Sequence, residues 1–337
     1  MKRAYLVAAA ALVLVLLMIL PWGCGENGEL TKVRLNEVTH SVFYAPLYVA
    51  MDLGYFEEEG LELEVTTGQG ADKVMTALLS GQADIAFMGP EATIYVYNEG
   101  QEDYAVSFAQ LTQRDGSFLV AREPDPDFTW DKVRGKTIIG GRAGGVPLMT
   151  LEYVLKKNGI IPGEDVEVLT HIQFALMAGA FTGGEGDYVT LFEPVAATLE
   201  MEGSGFVVAS VGEDSGLVPY TVFAARKSYM ESNPEIIQSF TNAIYRAQIW
   251  VQEHSPGEIA AAIAPSFPEV DLEVLTAVAQ RYKEIDAWAH SPVFTAESFD
   301  RLQEIMETAG ELKQRAPYDK LVTNSFAEEA IRLRGAN

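Results

Sequence analysis

Cysteine is nearly absent: Cys24 is the only one in 337 residues. No internal disulfide can form, and no multi-cysteine zinc site or iron–sulfur cluster can be built. Basic residues are scarce too, 24 Lys and Arg against 48 Asp and Glu, for a formal charge of −24. Such a surface repels phosphate backbones, which excludes nucleic acid as a partner. The four histidines, His40, His171, His254 and His290, show no HExxH or other ligand spacing, so no metal site is expected. No GxSxG nucleophile elbow occurs. Gly135-Lys136-Thr137 imitates the end of a P-loop, but Trp130 stands where the first glycine belongs. Gly140 to Gly145 lacks the spacing of a dinucleotide fingerprint. The chain is therefore expected to have no cofactor and no catalytic activity.

What is present is a globular composition, 48% hydrophobic with 29 Gly and 15 Pro, long enough for about two domains. The amino terminus stands apart. Lys2 and Arg3 precede an unbroken apolar run, Ala4 to Leu20, followed by Pro21-Trp22-Gly23-Cys24. Positive residues, a hydrophobic stretch and a small residue at the break describe a secretory signal peptide over 1–23. The position of Cys24 resembles the lipobox of bacterial lipoproteins, with 24–30 as the linker behind a lipid anchor. Pro21 stands where Leu is usual and Trp22 is bulky for its place, so an uncleaved anchor helix or a free thiol remain alternatives. Each reading places residues 25–337 outside the cytoplasmic membrane.

Strand and helix signals alternate from Lys32 onward. Val33 to Val38 reads as a strand, Pro46 to Asp52 as a helix, and Leu61, Leu63 and Val65 alternate with Glu62 and Glu64 as a half-buried strand. Asp72 to Leu79 reads as a helix, Asp84 to Met88 as a buried strand, and Glu91 to Tyr97 as a helix. A second series runs through Gly135 to Ile139, Pro147 to Asn158, Asp165 to Thr170, Phe174 to Phe181 and Gly186 to Phe192. Such a βαβ series predicts an α/β fold with mainly parallel sheets flanked by helices. Beyond Asn233 the chain reads as helical, with an apolar stripe through Ile236, Ile237, Phe240, Ile244, Ala247, Trp250 and Val251.

Two apolar segments look alike, Ser117 to Arg122 and Tyr220 to Arg226. They predict two lobes, residues 31–117 plus 227–337 and residues 123–218, joined by a hinge of two adjacent strands, 118–122 and 219–226. A cleft between lobes is where such folds bind ligands. Three glycine-rich helix starts, at Gly68-Gln69-Gly70, Gly89-Pro90-Glu91 and Gly144-Gly145-Val146, offer free N–H groups. His40-Ser41-Val42-Phe43-Tyr44 follows the first strand, and Gln110 to Asp115 stands beside the expected hinge.

At these residues the chain resembles a known family. Tyr44-Ala45-Pro46-Leu47-Tyr48-Val49-Ala50 through Gly54-Tyr55-Phe56-Glu57-Glu58-Glu59-Gly60-Leu61, continued by Gly70-Ala71-Asp72 and Leu79-Ser80-Gly81-Gln82-Ala83-Asp84-Ile85, is similar to the opening signature of a solute-binding family of ABC importers. The family takes in nitrate, sulfonate, taurine, riboflavin and thiamine-pyrimidine binders. The resemblance implies a type II periplasmic-binding-protein fold, a monomer that closes on a small solute and presents it to the ABC permease and its ATPase. Carried over by position, it implies a ligand site of His40, Phe43, Tyr44, Gly89, Glu91, Gln110, Arg114, Asp115, Gly144, Gly145, Val146 and Glu193. Fungal relatives on the same fold make the thiamine pyrimidine with a cysteine-rich segment, which this chain lacks. A sulfonate or nitrate would use Arg114 or Arg142 with the Gly144–Val146 amides. A heteroaromatic amine would stack on Phe43 or Tyr44 and meet Glu91, Asp115 and Glu193. The acidic loops favour the amine.

The leader yields its own test. Replacing Cys24 with Ser is expected to release the protein into the medium of a one-membrane host, read by fractionation and immunoblot; a variant still membrane-bound at full length would mean an uncleaved helix.

Overall fold

The computed structural model describes residues 29–335, so the expected leader and Cys24 lie outside the described residues. From Thr31 the chain builds two five-stranded sheets. The first has the order β2-β1-β3-β10-β4, from β1 (Thr31–Glu37), β2 (Leu61–Thr67), β3 (Ile85–Met88), β4 (Ala105–Thr112) and β10 (Thr221–Arg226). The second has the order β7-β6-β8-β5-β9, from β5 (Ser117–Ala121), β6 (Thr137–Ile139), β7 (Glu167–Leu169), β8 (Tyr188–Phe192) and β9 (Phe206–Ser210). Helices flank both, giving the two-lobed α/β architecture that the alternating pattern predicted.

The sheets are mixed rather than purely parallel. In the first, β1 runs parallel to β2 and β3, and β10 runs antiparallel to β3 and β4. In the second, β6 runs parallel to β7 and β8, and β5 runs antiparallel to β8 and β9. Each antiparallel strand is the one entered directly after the chain has crossed between lobes. This corrects the expected hinge. Ser117–Arg122 and Tyr220–Arg226 look alike because they hold equivalent places in two sheets, not because they lie side by side. The crossings are the segments just before them, 113–116 and 211–220. They are tied together by backbone bonds from Val218 N–H to Gln113 O at 2.9 Å and from Tyr220 N–H to Thr112 O at 3.2 Å.

Two strands escaped the sequence reading. Strand β4 is buried at all eight positions, so it lacks the alternation that marks a half-buried strand, and it runs through Gln110 to Thr112. Strand β9 follows the helix Val195–Met201 in the second sheet.

The larger core forms where the first sheet meets the helix Pro234–Glu253. Phe87 and Phe223 stack at 4.4 Å, and Phe240 stands edge-on to Phe223 at 4.9 Å. That helix buries Ile237, Phe240, Ile244, Ala247 and Val251, the expected stripe, while Ile236 and Trp250 stay half-buried at its border. Burial of such aromatic and aliphatic side chains contributes roughly 1.5–3 kcal/mol each.

The carboxyl-terminal part does more than cover the first sheet. Residues 287–292 extend its β4 edge, through bonds such as Gln113 N–H to Ala287 O at 2.9 Å and Gln110 N–H to Pro292 O at 2.8 Å. The helix Leu272–Glu284 then reaches the second lobe, where Arg281 pairs with Glu193 and Glu200. The helix Ala296–Thr308 reaches it again, with Arg301 donating to the Tyr153 hydroxyl at 3.0 Å.

Backbone approaches at the crossings are close. A Cβ on Gly212 would sit 2.1 Å from the Asp115 carbonyl oxygen, a backbone atom that cannot move aside. Gly212→Ala is therefore expected to destabilise the protein by about 1–3 kcal/mol in urea unfolding. Gly179→Ala, with no atom within 4 Å of the added Cβ, is expected to be neutral or stabilising by up to ~1 kcal/mol. Equal effects of the two would refute this reading of the crossing.

Candidate functional site

The carboxyl ends of β1, β3 and β4 and those of β6 and β8 open onto the seam between lobes, the usual ligand position in open α/β sheets. Two helix amino termini meet there. In the first lobe β3 ends at Met88, and the turn Gly89-Pro90 starts the helix Glu91–Asn98. In the second, Gly144-Gly145 starts the helix Val146–Lys157, with Pro147 at a position where a proline's missing N–H costs nothing. The helices touch across the seam: the Tyr95 hydroxyl donates to Gly144 O at 3.2 Å and lies 3.8 Å from Met149 Sδ. Beside them Arg142 reaches Asp72 at 3.0 Å, one residue on each lobe.

Glu91 lies in this seam, 3% exposed, with Oε2 lacking any hydrogen-bond partner among the described residues. Burial raises its pKa to about 7. The N–H groups of Glu91, Val146 and Ala92 and the charge of Arg142 pull the other way. Asp115, fully buried, accepts the Ser117 N–H at 2.7 Å through Oδ1, while Oδ2 has no partner. Burial lifts its pKa to about 7 as well, opposed by the nearby hydroxyls of Ser117, Tyr220 and Thr150. The Tyr220 hydroxyl and Ser117 Oγ are buried without partners too. Tyr44 faces the same charges: burial first, then Glu37, Glu91 and Asp115, raise its phenol well above the ordinary value. A chain seldom buries so many unpaired polar atoms together, because each costs about 1–3 kcal/mol unless something else bonds it.

Of the residues predicted for the site, Tyr44, Glu91, Asp115, Gly145 and Val146 converge on this seam. Gly89 lies under the Glu91 carboxylate, where a Cβ would come 2.0 Å from Oε2. Gly144 supplies the carbonyl that Tyr95 bonds.

The others are used elsewhere. His40 is fixed by Glu37 at 3.1 Å and the Ser266 carbonyl at 2.9 Å, and its ring stacks on Phe267 at 4.6 Å. Phe43 is core: its ring packs among Tyr44, Phe192, Tyr220 and Tyr282, and a Cβ on Gly116 would meet it at 2.5 Å. Gln110 sits inside β4, and its amide donates to the Thr112 carbonyl at 3.1 Å. Arg114 does not pair with Asp115; its guanidinium reaches the Gly212 carbonyl at 3.5 Å, and its Nε–H is buried without a partner. Glu193 is spent on structure. One oxygen accepts the Ala197 N–H at 2.7 Å, capping the helix Val195–Met201, and the other pairs with Arg281. A carboxylate with both oxygens engaged and a guanidinium beside it is not free for a ligand amine.

Sequence reasoning missed four participants. Tyr220, Ser117 and Thr150 lay in segments read as strand or helix, and only tertiary packing brings them beside Asp115, the Thr150 hydroxyl donating to the Val146 carbonyl at 2.8 Å. Glu37 ends β1 at 1% exposure, accepting from the Tyr48 hydroxyl at 2.6 Å and Thr67 Oγ1 at 2.9 Å. The only signal for it was a carboxylate at the carboxyl end of the first strand.

Two mixed five-stranded sheets in two lobes, flanked by helices, give the fold of the periplasmic-binding type. Solved structures share this fold. The alkanesulfonate-binding protein SsuA from Xanthomonas axonopodis pv. citri, bound to MOPS, aligns with a TM-score of 0.70 at 16% identity, covering 88% of this chain and 100% of that one. The periplasmic nitrate-binding protein NrtA from Synechocystis aligns at 0.71 and 18%, covering 92% and 90%. At those identities the likeness shows the fold alone. The chain belongs to the NMT1-like family, whose profile matches residues 26–265. Bacillus subtilis YtlA, which carries the name of a binding protein, is 47% identical over 315 residues, 94% of each chain. A Schizosaccharomyces pombe 4-amino-5-hydroxymethyl-2-methylpyrimidine phosphate synthase is 25% identical over 147 residues, 43% of this chain and 41% of that one.

The buried carboxylates make stability depend on pH. Between the ordinary carboxylate range and about 7, the folded state holds protons that the unfolded state has released, so stability falls as pH rises through this window. Glu91→Gln is therefore expected to raise the melting temperature, relative to wild type, more at pH 8 than at pH 5. The same gain at both values would mean that Glu91 is ionised throughout.

Proposed function

We propose that this chain is the extracytoplasmic solute-binding component of an ABC importer, anchored by a lipid on Cys24, and that it captures a small heteroaromatic amine of the thiamine-pyrimidine kind without turning it over. The observation that carries this reading is the pair of buried carboxylate oxygens without a partner, Glu91 Oε2 and Asp115 Oδ2, at the meeting of the lobes. A ring bearing an amino group supplies the N–H donors these oxygens lack, and its flat face suits Tyr44. The 47% identical relative named as a binding protein supports the binding part. The partial likeness to a pyrimidine phosphate synthase supports the ligand class without its chemistry, since the chain has no cysteine beyond Cys24. Closure on the solute would present one face, formed by both lobes, to the permease.

A second reading, an oxyanion such as a sulfonate or nitrate, draws on the names of the structural neighbours and on the two helix amino termini. It meets two carboxylates in the same seam, and the cation at the rim, Arg142, is already paired with Asp72.

A thermal-shift screen decides between them. 4-Amino-5-hydroxymethyl-2-methylpyrimidine is expected to raise the melting temperature by mass action, and Asp115→Asn to weaken its binding about ten-fold. Stabilisation by alkanesulfonate or nitrate alone would overturn the ligand class. Formation of a pyrimidine product on added iron and pyridoxal phosphate would overturn the binding reading.

A further inference from the structure

Free helix amino termini attract oxyanions, because their first N–H groups have no intrahelical partner and the helix dipole is positive there. Here two such ends, those of Glu91–Asn98 and Val146–Lys157, converge from opposite lobes. Between them lies a carboxylate that the chain itself supplies. Glu91 is the first residue of its own helix, and its side chain folds back over Gly89, close enough that a Cβ there would stand 2.0 Å from Oε2. Val146 N–H, from the other lobe, acts on the same carboxylate, as does the Arg142 charge.

We propose that Glu91 is the specificity-determining residue of this cleft: it fills the oxyanion seat between the two helix ends and so restricts the ligand to one that brings hydrogen-bond donors or positive charge. This rests on the reading that the seam is the ligand site, but not on which amine binds there. The seat is built for a carboxylate, since the residue two places earlier is a glycine whose missing side chain leaves room for the folded-back group. The carboxylate is buried at 3% exposure, so at pH 8, where it is ionised, a second anion would face its charge at close quarters. One of its oxygens, Oε2, is still unpartnered over Gly89, so it remains a buried acceptor. A seat already holding its anion, with an acceptor left over, selects donors. Without Glu91, the same N–H groups would be open to a solute oxyanion, on a fold whose relatives carry sulfonate-binding and nitrate-binding names.

The test uses the mature protein and two variants, Glu91→Ala, which empties the seat, and Glu91→Gln, which keeps its shape and removes the charge. Methanesulfonate is titrated by calorimetry against sodium chloride of equal ionic strength, and folding of each variant is checked by circular dichroism. Wild type is expected to give no methanesulfonate heat. Glu91→Ala is expected to bind methanesulfonate at least ten-fold more tightly than wild type, and to bind 4-amino-5-hydroxymethyl-2-methylpyrimidine more weakly. If Glu91→Ala does not fold, a gain in Glu91→Gln serves the same purpose. Equal methanesulfonate binding by wild type and a folded variant, or no binding by either, overturns the proposal. The two conclusions fail separately. A variant that gains the sulfonate while wild type ignores the pyrimidine leaves the role of Glu91 standing and removes the proposed ligand. Pyrimidine binding to wild type with no sulfonate gain does the reverse.

Discussion

Glu91 and Asp115 are buried at the meeting of the lobes with no salt-bridge partner among the described residues, and this burial of unpaired acid sets the character of the seam. Neutralising them with a buried cation would have been the cheaper solution, and the chain uses it at Glu193, where Arg281 stands against the carboxylate. At Glu37 it uses full hydrogen bonding from Tyr48, Thr67 and His40. At Glu91 and Asp115 it uses neither. Backbone N–H groups and hydroxyls take up part of the charge, and oxygen atoms are left over. Five carboxylates are buried among the described residues: Glu37, Asp84 and Glu193 are satisfied, Asp84 by Arg34, while Glu91 and Asp115 each keep one oxygen without a partner.

The seam exists because of how the chain crosses. Each lobe opens with parallel strands whose carboxyl ends face the partner, and each receives one antiparallel strand from the other side, β5 or β10. The arrangement puts Asp115 on a crossing and Glu91 at a strand end, so residues 24 positions apart reach one point. The lobes are joined across the seam by the exposed Arg142–Asp72 pair, by the Tyr95 hydroxyl on Gly144 and the Ser41 hydroxyl on the Glu193 carbonyl at 2.9 Å, and by Arg281 on Glu193 and Glu200. An exposed pair such as Arg142–Asp72 contributes about 0–1 kcal/mol.

The same fold carries sulfonate-binding and nitrate-binding names among its structural neighbours, which illustrates that architecture does not choose the ligand. Helix amino termini at strand ends come with the topology. Which solute they accept depends on the side chains set against them, and here those side chains are acidic.

Much of the layout was legible in the sequence. The 3.6-residue stripe of Ile237, Phe240, Ile244, Ala247 and Val251 and the glycine-led helix starts at Gly89 and Gly144 have local causes, periodicity and backbone freedom, that no partner is needed to reveal. The paired look of Ser117–Arg122 and Tyr220–Arg226 was real, yet it marked equivalent strands in two sheets, since similarity of sequence says nothing about adjacency. Strand β4 was hidden because burial on both faces erases alternation. Site residues were legible as candidates and no further. Tyr44, Glu193 and Asp115 all follow strands, but whether a carboxylate meets Arg281 or an unfilled hydrogen-bond position depends on helices more than 80 residues away, such as Leu272–Glu284. The sequence by itself determined the acidity, the alternating elements and the glycine turns, because those are properties of neighbours along the chain. Only the tertiary structure decided which acids are satisfied and which are left open, because that depends on groups brought together across the seam.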